Sequence, residues 1–247
     1  MRTNSRPFLI ALAALLALVL VPVAVDRFAA ARVESRTAKA FQEGMGTPLP
    51  PQVHVRGVPV LTQLASGTLR HVDITAHDIP ADGSARPLPV TELALDLHGV
   101  SKSDDNKEAR ARKAEATAYL SYTDISNALG IEIGQAAQPG RITAKVLLPL
   151  DSEVDVTTAV SAASGNRISF SDFQVTGGAL PAVGRTLLDR VFAEPIQLRN
   201  IPEGLHLRSV STTAEGLTAR FSGESVTFRP DGGSQEGSAE ESADRAA

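Results

Sequence analysis

The sequence predicts an α+β domain in which a curved antiparallel sheet wraps around a long N-terminal helix. Two patterns lead to this expectation. Residues 26–43 are rich in charges and carry apolar residues at helical spacing, whereas after a group of prolines at 48–51 the apolar residues alternate with polar ones. Alternating strands with short connections favour an antiparallel sheet, whose apolar face needs a cover. We expect the long helix to provide that cover and to leave space beneath it.

The N-terminus has the pattern of an export or membrane segment. Arg2 and Arg6 precede an uncharged stretch from Pro7 to Val25. As a helix, residues 8–25 span about 27 Å at 1.5 Å per residue, close to a hydrocarbon core of about 30 Å. A signal anchor and a cleaved signal peptide both fit, and we favour the anchor because the apolar run is longer than most cleaved signals need. Either one places the domain outside the cytoplasm.

Residues 26–43 predict the long helix. One modestly apolar stripe repeats at spacings of three, four and seven residues, and charged residues occupy the other faces. Gly44 and Gly46 are expected to end the helix. The stripe consists of Ala30, Val33, Thr37, Ala40 and Phe41.

Period-two alternation predicts the strands. Their inward positions are Val72, Ile74 and Ala76; Leu93, Leu95 and Leu97; Ala114, Ala116, Ala118 and Leu120; Ile142, Ala144, Val146 and Leu148; Val154, Val156 and Val160; Ile168 and Phe170; Leu205 and Leu207; Leu217, Ala219 and Phe221; and Val226 and Phe228. The charged run 102–113 is expected to form an exposed hairpin loop. Two short helices are also expected, one after a capping box at Ser121 and Asp124, the other starting at Pro181.

We therefore divide the chain into a signal anchor or signal peptide at 1–25, one domain at 26–230 and a disordered tail at 231–247, where Gly, Ser and Glu dominate.

Composition excludes several function classes. The net charge is -4 with basic and acidic residues interspersed, so we expect no nucleic-acid partner. Cysteine is absent, which removes disulfides, thiolate metal sites and lipid-modified cysteine. No Gly-x-Ser-x-Gly turn or phosphate-binding loop occurs, and the paired acids lie in charged, flexible stretches, so we expect no enzyme. No cofactor is expected.

Histidines do not predict a metal site. His71, Asp73 and His77 share one strand face, but positions i, i+2 and i+6 extend over roughly 20 Å at about 3.3 Å per residue. Ligands of one ion lie about 2 Å from it, so these three cannot converge. We expect the histidines to lie on a solvated face.

Four short sequence segments, taken in their order along the chain, resemble the LmeA-like family of actinobacterial cell-envelope proteins. They begin at Gly57, Val72, Leu120 and Gly204 and read GVPVLTQ, VDITA, LSYTDIS and GLHL. The resemblance covers about residues 26–229. It implies a fold similar to the tubular lipid-binding domains of the bactericidal/permeability-increasing type, and a phospholipid ligand such as phosphatidylinositol in lipoglycan metabolism. Where family members often carry Phe, Val58 and Val60 stand here, so pocket shape is expected to differ.

The expected function is extracytoplasmic phospholipid binding, with phospholipid implied by the resemblance. The excess of aliphatic over aromatic residues suits an acyl chain, for which each buried CH2 contributes about 0.8 kcal/mol. The alternative is a non-catalytic envelope scaffold with a solid core. Within the segment 57–63, rim of a cavity and edge strand both remain open. For Leu93, Leu95 and Leu97 we favour ordinary core over ligand contact. The residues expected to line the cavity are Val33, Phe41, Val58, Val60, Leu61, Leu64, Val72, Ile74, Leu93, Leu95, Leu97 and Leu129.

Overall fold

The structure is a computed structural model that describes residues 6–81, 88–103, 108–148, 152–176, 195–198 and 201–229; within these ranges, the side chains of residues 6–17, 19, 146–148, 152–153 and 176 are not described. It contains helices α1 (Arg6–Met45), α2 (Val60–Ala65) and α3 (Tyr122–Leu129). The strands are β1 (Gln52–Arg56), β2 (Thr68–Ile79), β3 (Val90–Lys102), β4 (Ala109–Ser121), β5 (Glu132–Gln135), β6 (Arg141–Leu148), β7 (Ser152–Ala163), β8 (Arg167–Thr176), β9 (Ile196–Gln197), β10 (Glu203–Thr212) and β11 (Gly216–Phe228).

The strands form two antiparallel sheets. The first has the order β1-β2-β3-β4-β11-β10, and the second has the order β5-β6-β7-β8-β9. The α+β class, the long N-terminal helix and the curved antiparallel sheet in the form of a half-barrel confirm the predicted fold. Each stretch of period-two alternation lies in a strand. The second sheet is a feature that the sequence pattern alone did not separate from the first.

One face of the six-stranded sheet is covered by two different parts of the structure. Ala114 and Ala116 of β4 pack in a core with α1, whereas Ala118 and Leu120 of the same strand pack in a core with the second sheet. These four residues alternate along β4 and therefore lie on one face. We call the first the α1 core and the second the inter-sheet core. The predicted helix thus covers only part of the apolar face, and the second sheet with α3 covers the rest.

Helix α1 contacts the sheet with the predicted stripe. Ala30 is buried, and Val33, Thr37 and Phe41 are half-buried, whereas Ala40 is exposed. Glu34 differs from the expectation that it occupies a solvent face: its Oε1 accepts a hydrogen bond of 2.8 Å from the backbone N–H of Val55. Because β1 is an edge strand, this carboxylate satisfies an amide that has no strand partner on that side.

Four predictions of local structure need correction or stay open. The segment 57–63 is not an edge strand, because Val60–Ala65 is helical. The run 102–113 is not all loop, since β4 begins at Ala109. The helix predicted from Pro181 and the tail from 231 lie outside the described residues.

The predicted membrane segment and the long helix form one continuous helix, α1. Among the described residues, no helix combines the length and the apolar composition needed to cross a membrane. Within the predicted segment 8–25, the side chains of residues 8–17 and 19 are not among those that the structure describes.

Candidate lipid-binding site

The predicted cavity-lining residues separate into three groups. Eight belong to the α1 core or pack against it: Val33, Phe41, Val60, Val72, Ile74, Leu93, Leu95 and Leu97. Three are exposed at α2: Val58, Leu61 and Leu64. Leu129 packs against the inter-sheet core, so the structure does not bring it to the others.

The α1 core is packed with protein side chains. Val72, Ile74 and Leu97 are at most 5% exposed and meet α1 through Ala30 and its partly buried neighbours. Leu93 and Leu95 are half-buried and also pack against this core. This agrees with the interpretation favoured from the sequence for Leu93, Leu95 and Leu97. These residues therefore act as ordinary core in the structure.

Two hollows are the best defined among the described residues, and both open to solvent. One, of about 340 Å³, lies beside α2, and the other, of about 320 Å³, lies on β3, β4 and β11. Neither hollow is lined by residues of α1, so the tunnel predicted between α1 and the sheet stays a prediction. The candidate site described below is the surface around α2.

The helix α2 is fixed to the rest of the domain by two buried polar side chains. Asp26 of α1 is 4% exposed, and its Oδ1 accepts a hydrogen bond of 2.8 Å from the backbone N–H of Leu61. Pro59 precedes the helix and offers no side-chain acceptor, so this carboxylate from a distant helix takes the place of a local N-cap.

Gln63 makes the second connection. Its side chain is buried; Nε2 donates to the carbonyl oxygen of Gly57 at 3.0 Å, and Oε1 accepts from the N–H of Arg70 at 2.7 Å. A buried amide with both ends paired holds the loop before α2 and the start of β2 in one arrangement. The position of α2 relative to α1 and the sheet is therefore well determined.

The apolar side of α2 is open to solvent. Val58, Leu61 and Leu64 are 57%, 41% and 38% exposed. The hydrogen bond between Asp26 and Leu61 brings Leu61 next to α1, which carries further exposed apolar residues on either side of Asp26. On α1 these are Leu18, Leu20, Val21, Val23, Val25 and Phe28. Large apolar residues grouped on a surface are typical of a contact with lipid or with another apolar surface.

A hollow beside α2 contains polar side chains, on a different side of the helix from Leu61 and Leu64. Its lining consists of Thr62, Gln63, Ser66, Thr68 and Arg70. The side chain of Arg70 has no hydrogen-bond or ion-pair partner among the described residues, so its guanidinium is available for an anion. Hydroxyl and guanidinium donors are the groups that bind phosphate oxygens. We call Val58, Leu61, Leu64 and this hollow the α2 site.

Sequence reasoning named part of this candidate site. The segment 57–63 was predicted as a possible rim with Thr62 and Gln63 beside apolar side chains, and the structure places Val58, Leu61, Thr62 and Gln63 at the α2 site. It missed Ser66, Thr68 and Arg70, because only the packing of α2 against the start of β2 brings them together.

Comparison with known proteins gives a consistent result. The family model described as LmeA-like phospholipid-binding matches residues 24–222 of this chain. No curated protein and no solved structure matches significantly. The matched region includes the part of α1 that packs on the sheet, all of α2 and most of both sheets. The chain therefore belongs to the LmeA-like phospholipid-binding family.

Proposed function

We propose that this protein is an extracytoplasmic phospholipid-binding protein that holds its ligand at the α2 site. Membership of a phospholipid-binding family supports lipid as the ligand. The observation that carries the location is the combination, on one short helix, of exposed Leu61 and Leu64 with a hollow that contains Arg70. The acyl chains contact the leucines, and the phosphate enters the hollow.

The chemistry of the hollow favours an anionic phospholipid. Arg70 adds a positive charge without an acidic partner among the described residues, and the hydroxyls of Thr62 and Thr68 add neutral donors. Phosphatidylinositol, which the family resemblance implies, has both a phosphodiester and hydroxyl groups to match these donors. The proposed role is in cell-envelope lipid and lipoglycan metabolism, without a catalytic step in the protein itself. Attachment to a membrane through residues 1–25 stays a prediction from the sequence.

Photocrosslinking tests the location. The full chain is mixed with vesicles that contain phosphatidylinositol with a photoactivatable acyl chain, and crosslinked peptides are identified by mass spectrometry. We expect crosslinks in the peptide that contains residues 58–64. Crosslinks confined to residues 1–25 would show that lipid meets only the N-terminal segment.

A matched pair of variants gives the control. Leu61→Ser should reduce crosslinking at 58–64, since it removes an exposed apolar side chain while the backbone N–H bond to Asp26 is retained. Leu49→Ser changes an exposed leucine beyond the far end of α1 and should leave crosslinking unchanged. Asp26 and Met45 of α1 are about 28 Å apart at 1.5 Å per residue.

A further inference from the structure

A cluster of imidazoles and carboxylates lies on the face of the six-stranded sheet that is opposite the cores. His71 of β2 pairs directly with His98 of β3, and Asp73 pairs with Asp96. The adjacent positions Val72 and Leu97 point into the α1 core. Because side chains alternate along strands, the four polar residues share the outer face.

Three ligand atoms of this cluster converge. His71 Nε2 lies 3.1 Å from Asp96 Oδ1, and His98 Nε2 lies 2.9 Å from the same oxygen. The three atoms are all within 4.8 Å of one another. Around a tetrahedral zinc ion, ligand atoms at about 2.0–2.1 Å from the metal are roughly 3.3 Å apart, so the observed spacing needs only small side-chain adjustments.

Two atoms at the centre of the cluster, His71 Nε2 and Asp96 Oδ1, are inaccessible to water. They make close ion-pair contacts, but neither makes a hydrogen bond of good geometry among the described residues. Buried polar atoms without well-formed hydrogen bonds cost free energy. Coordination of one cation by both atoms would remove that cost.

We propose that His71, Asp96 and His98 bind one zinc ion that joins β2 to β3. Two imidazole nitrogens with one carboxylate oxygen favour zinc and similar transition metals over magnesium or calcium, which prefer oxygen ligands alone. Three protein ligands leave a fourth position for water or another donor. This site goes beyond lipid binding and does not depend on it.

Neighbouring charges are compatible with a cation. Asp73 Oδ1 lies 2.7 Å from His71 Nε2, and its other oxygen accepts from Arg56 Nε at 2.5 Å. Lys113, which is opposite His98 on β4, is paired with Glu115 at 2.6 Å. Arg56 and Lys113 therefore each have a carboxylate partner, and the partner of Arg56, Asp73, also places an oxygen beside the three ligands.

Zinc titration of the full chain tests the proposal. The protein is purified without a histidine tag and titrated with zinc chloride in a calorimeter, with magnesium chloride in a parallel experiment. We expect one zinc ion per chain and no comparable binding of magnesium. Cobalt bound in place of zinc should give the visible absorption bands of a metal ion with a low coordination number. This readout does not depend on any activity.

His77 provides the matched control. It also lies on β2, and its Nδ1 is 3.8 Å from Glu92 of β3, but the residue opposite it on β3 is this glutamate and not a second histidine. We expect His98→Gln to weaken zinc binding at least about tenfold and to remove the cobalt bands, and His77→Gln to retain both. Circular dichroism verifies that each variant folds.

Three results would overturn the proposal. They are absence of zinc binding by the wild-type chain, equal affinity in folded His98→Gln, and an equal loss in His77→Gln. Zinc-dependent thermal stabilisation of the wild type and of His77→Gln, but not of His98→Gln, would support it independently.

Discussion

Asp26 shows how one side chain organises the candidate site. It is buried in α1 and accepts from the N–H of Leu61, while its Oδ2 has no hydrogen-bond partner among the described residues. Only Oδ1 of this carboxylate therefore makes a hydrogen bond with the described residues. The contact joins two helices that are separated by a strand in the sequence.

Two substitutions of Asp26 distinguish the effect on stability of its hydrogen-bond acceptor from the effect of its charge. Asp26→Ala leaves the N–H of Leu61 without its acceptor, and we expect the free energy of unfolding to fall by about 1 kcal/mol. Asp26→Asn keeps an acceptor oxygen and removes a partly unsatisfied buried charge, so it should be at least as stable as Asp26→Ala. Urea unfolding followed by circular dichroism measures both. Greater stability of the alanine variant would contradict this role for Asp26.

Arg70 is the proposed source of selectivity for anionic lipid. Arg70→Gln removes the unpaired positive charge from the hollow, so crosslinking of α2 to phosphatidylinositol should fall several-fold, with a smaller effect for phosphatidylcholine. Arg112→Gln changes the net charge equally at the other hollow. Equal losses in the two variants would indicate a general charge effect and not a specific contact.

The strands show which parts of the fold the sequence determines. Alternation at 72–76, 93–97 and 114–120 predicted strands because half-burial imposes a period of two, and these residues lie in β2, β3 and β4. The capping box was also confirmed: Ser121 Oγ accepts from the N–H of Asp124 at 3.0 Å, and α3 begins at the next residue after Ser121.

The failures have equally physical reasons. The segment 57–63 contains a proline and apolar residues that fit a strand end as well as a helix. Whether it forms a strand or a helix depends on the tertiary hydrogen bonds of Asp26 and Gln63. The cluster of His71, Asp96 and His98 was missed because positions along one strand were compared, whereas strand register brings partners from two strands together. Neither register nor packing against α1 can be obtained from local patterns.

The pair β10 and β11 contains a close approach that only glycine permits. A Cβ atom at Gly223 would overlap with the backbone carbonyl oxygen of Gly204, next to an irregularity in the strand register. The side chain of any other residue would therefore push two paired strands apart.

Gly223→Ala should consequently destabilise the domain by about 2 kcal/mol or more. At Gly134 of β5, an added Cβ would have no atom of the described residues within 4 Å, so Gly134→Ala should change stability by less than about 0.5 kcal/mol. Thermal or urea unfolding of the two variants measures the difference. Similar stabilities would show that β10 and β11 can separate at this point without cost.

At the scale of the whole molecule, the proposed lipid-contact surface lies at one end of the α1 core. Small residues on β4, including Ala111, Ala114 and Ala116, allow α1 to lie close to the sheet. The aliphatic side chains beneath α1 are then used for packing among themselves. The exposed side of α2 is therefore the proposed contact for the fatty part of a ligand.

The ratio of bound phospholipid to protein tests the central claim most directly. The full chain, the double variant Leu61→Ser/Leu64→Ser and the control Leu49→Ser are purified identically and extracted with organic solvent, and the phospholipids are quantified by mass spectrometry. Lipid carried by the N-terminal segment contributes equally to all three. We predict that the wild type and Leu49→Ser retain more phospholipid per chain than the folded double variant. Equal phospholipid in all three, or none in any, would contradict the assignment of lipid binding to the α2 site.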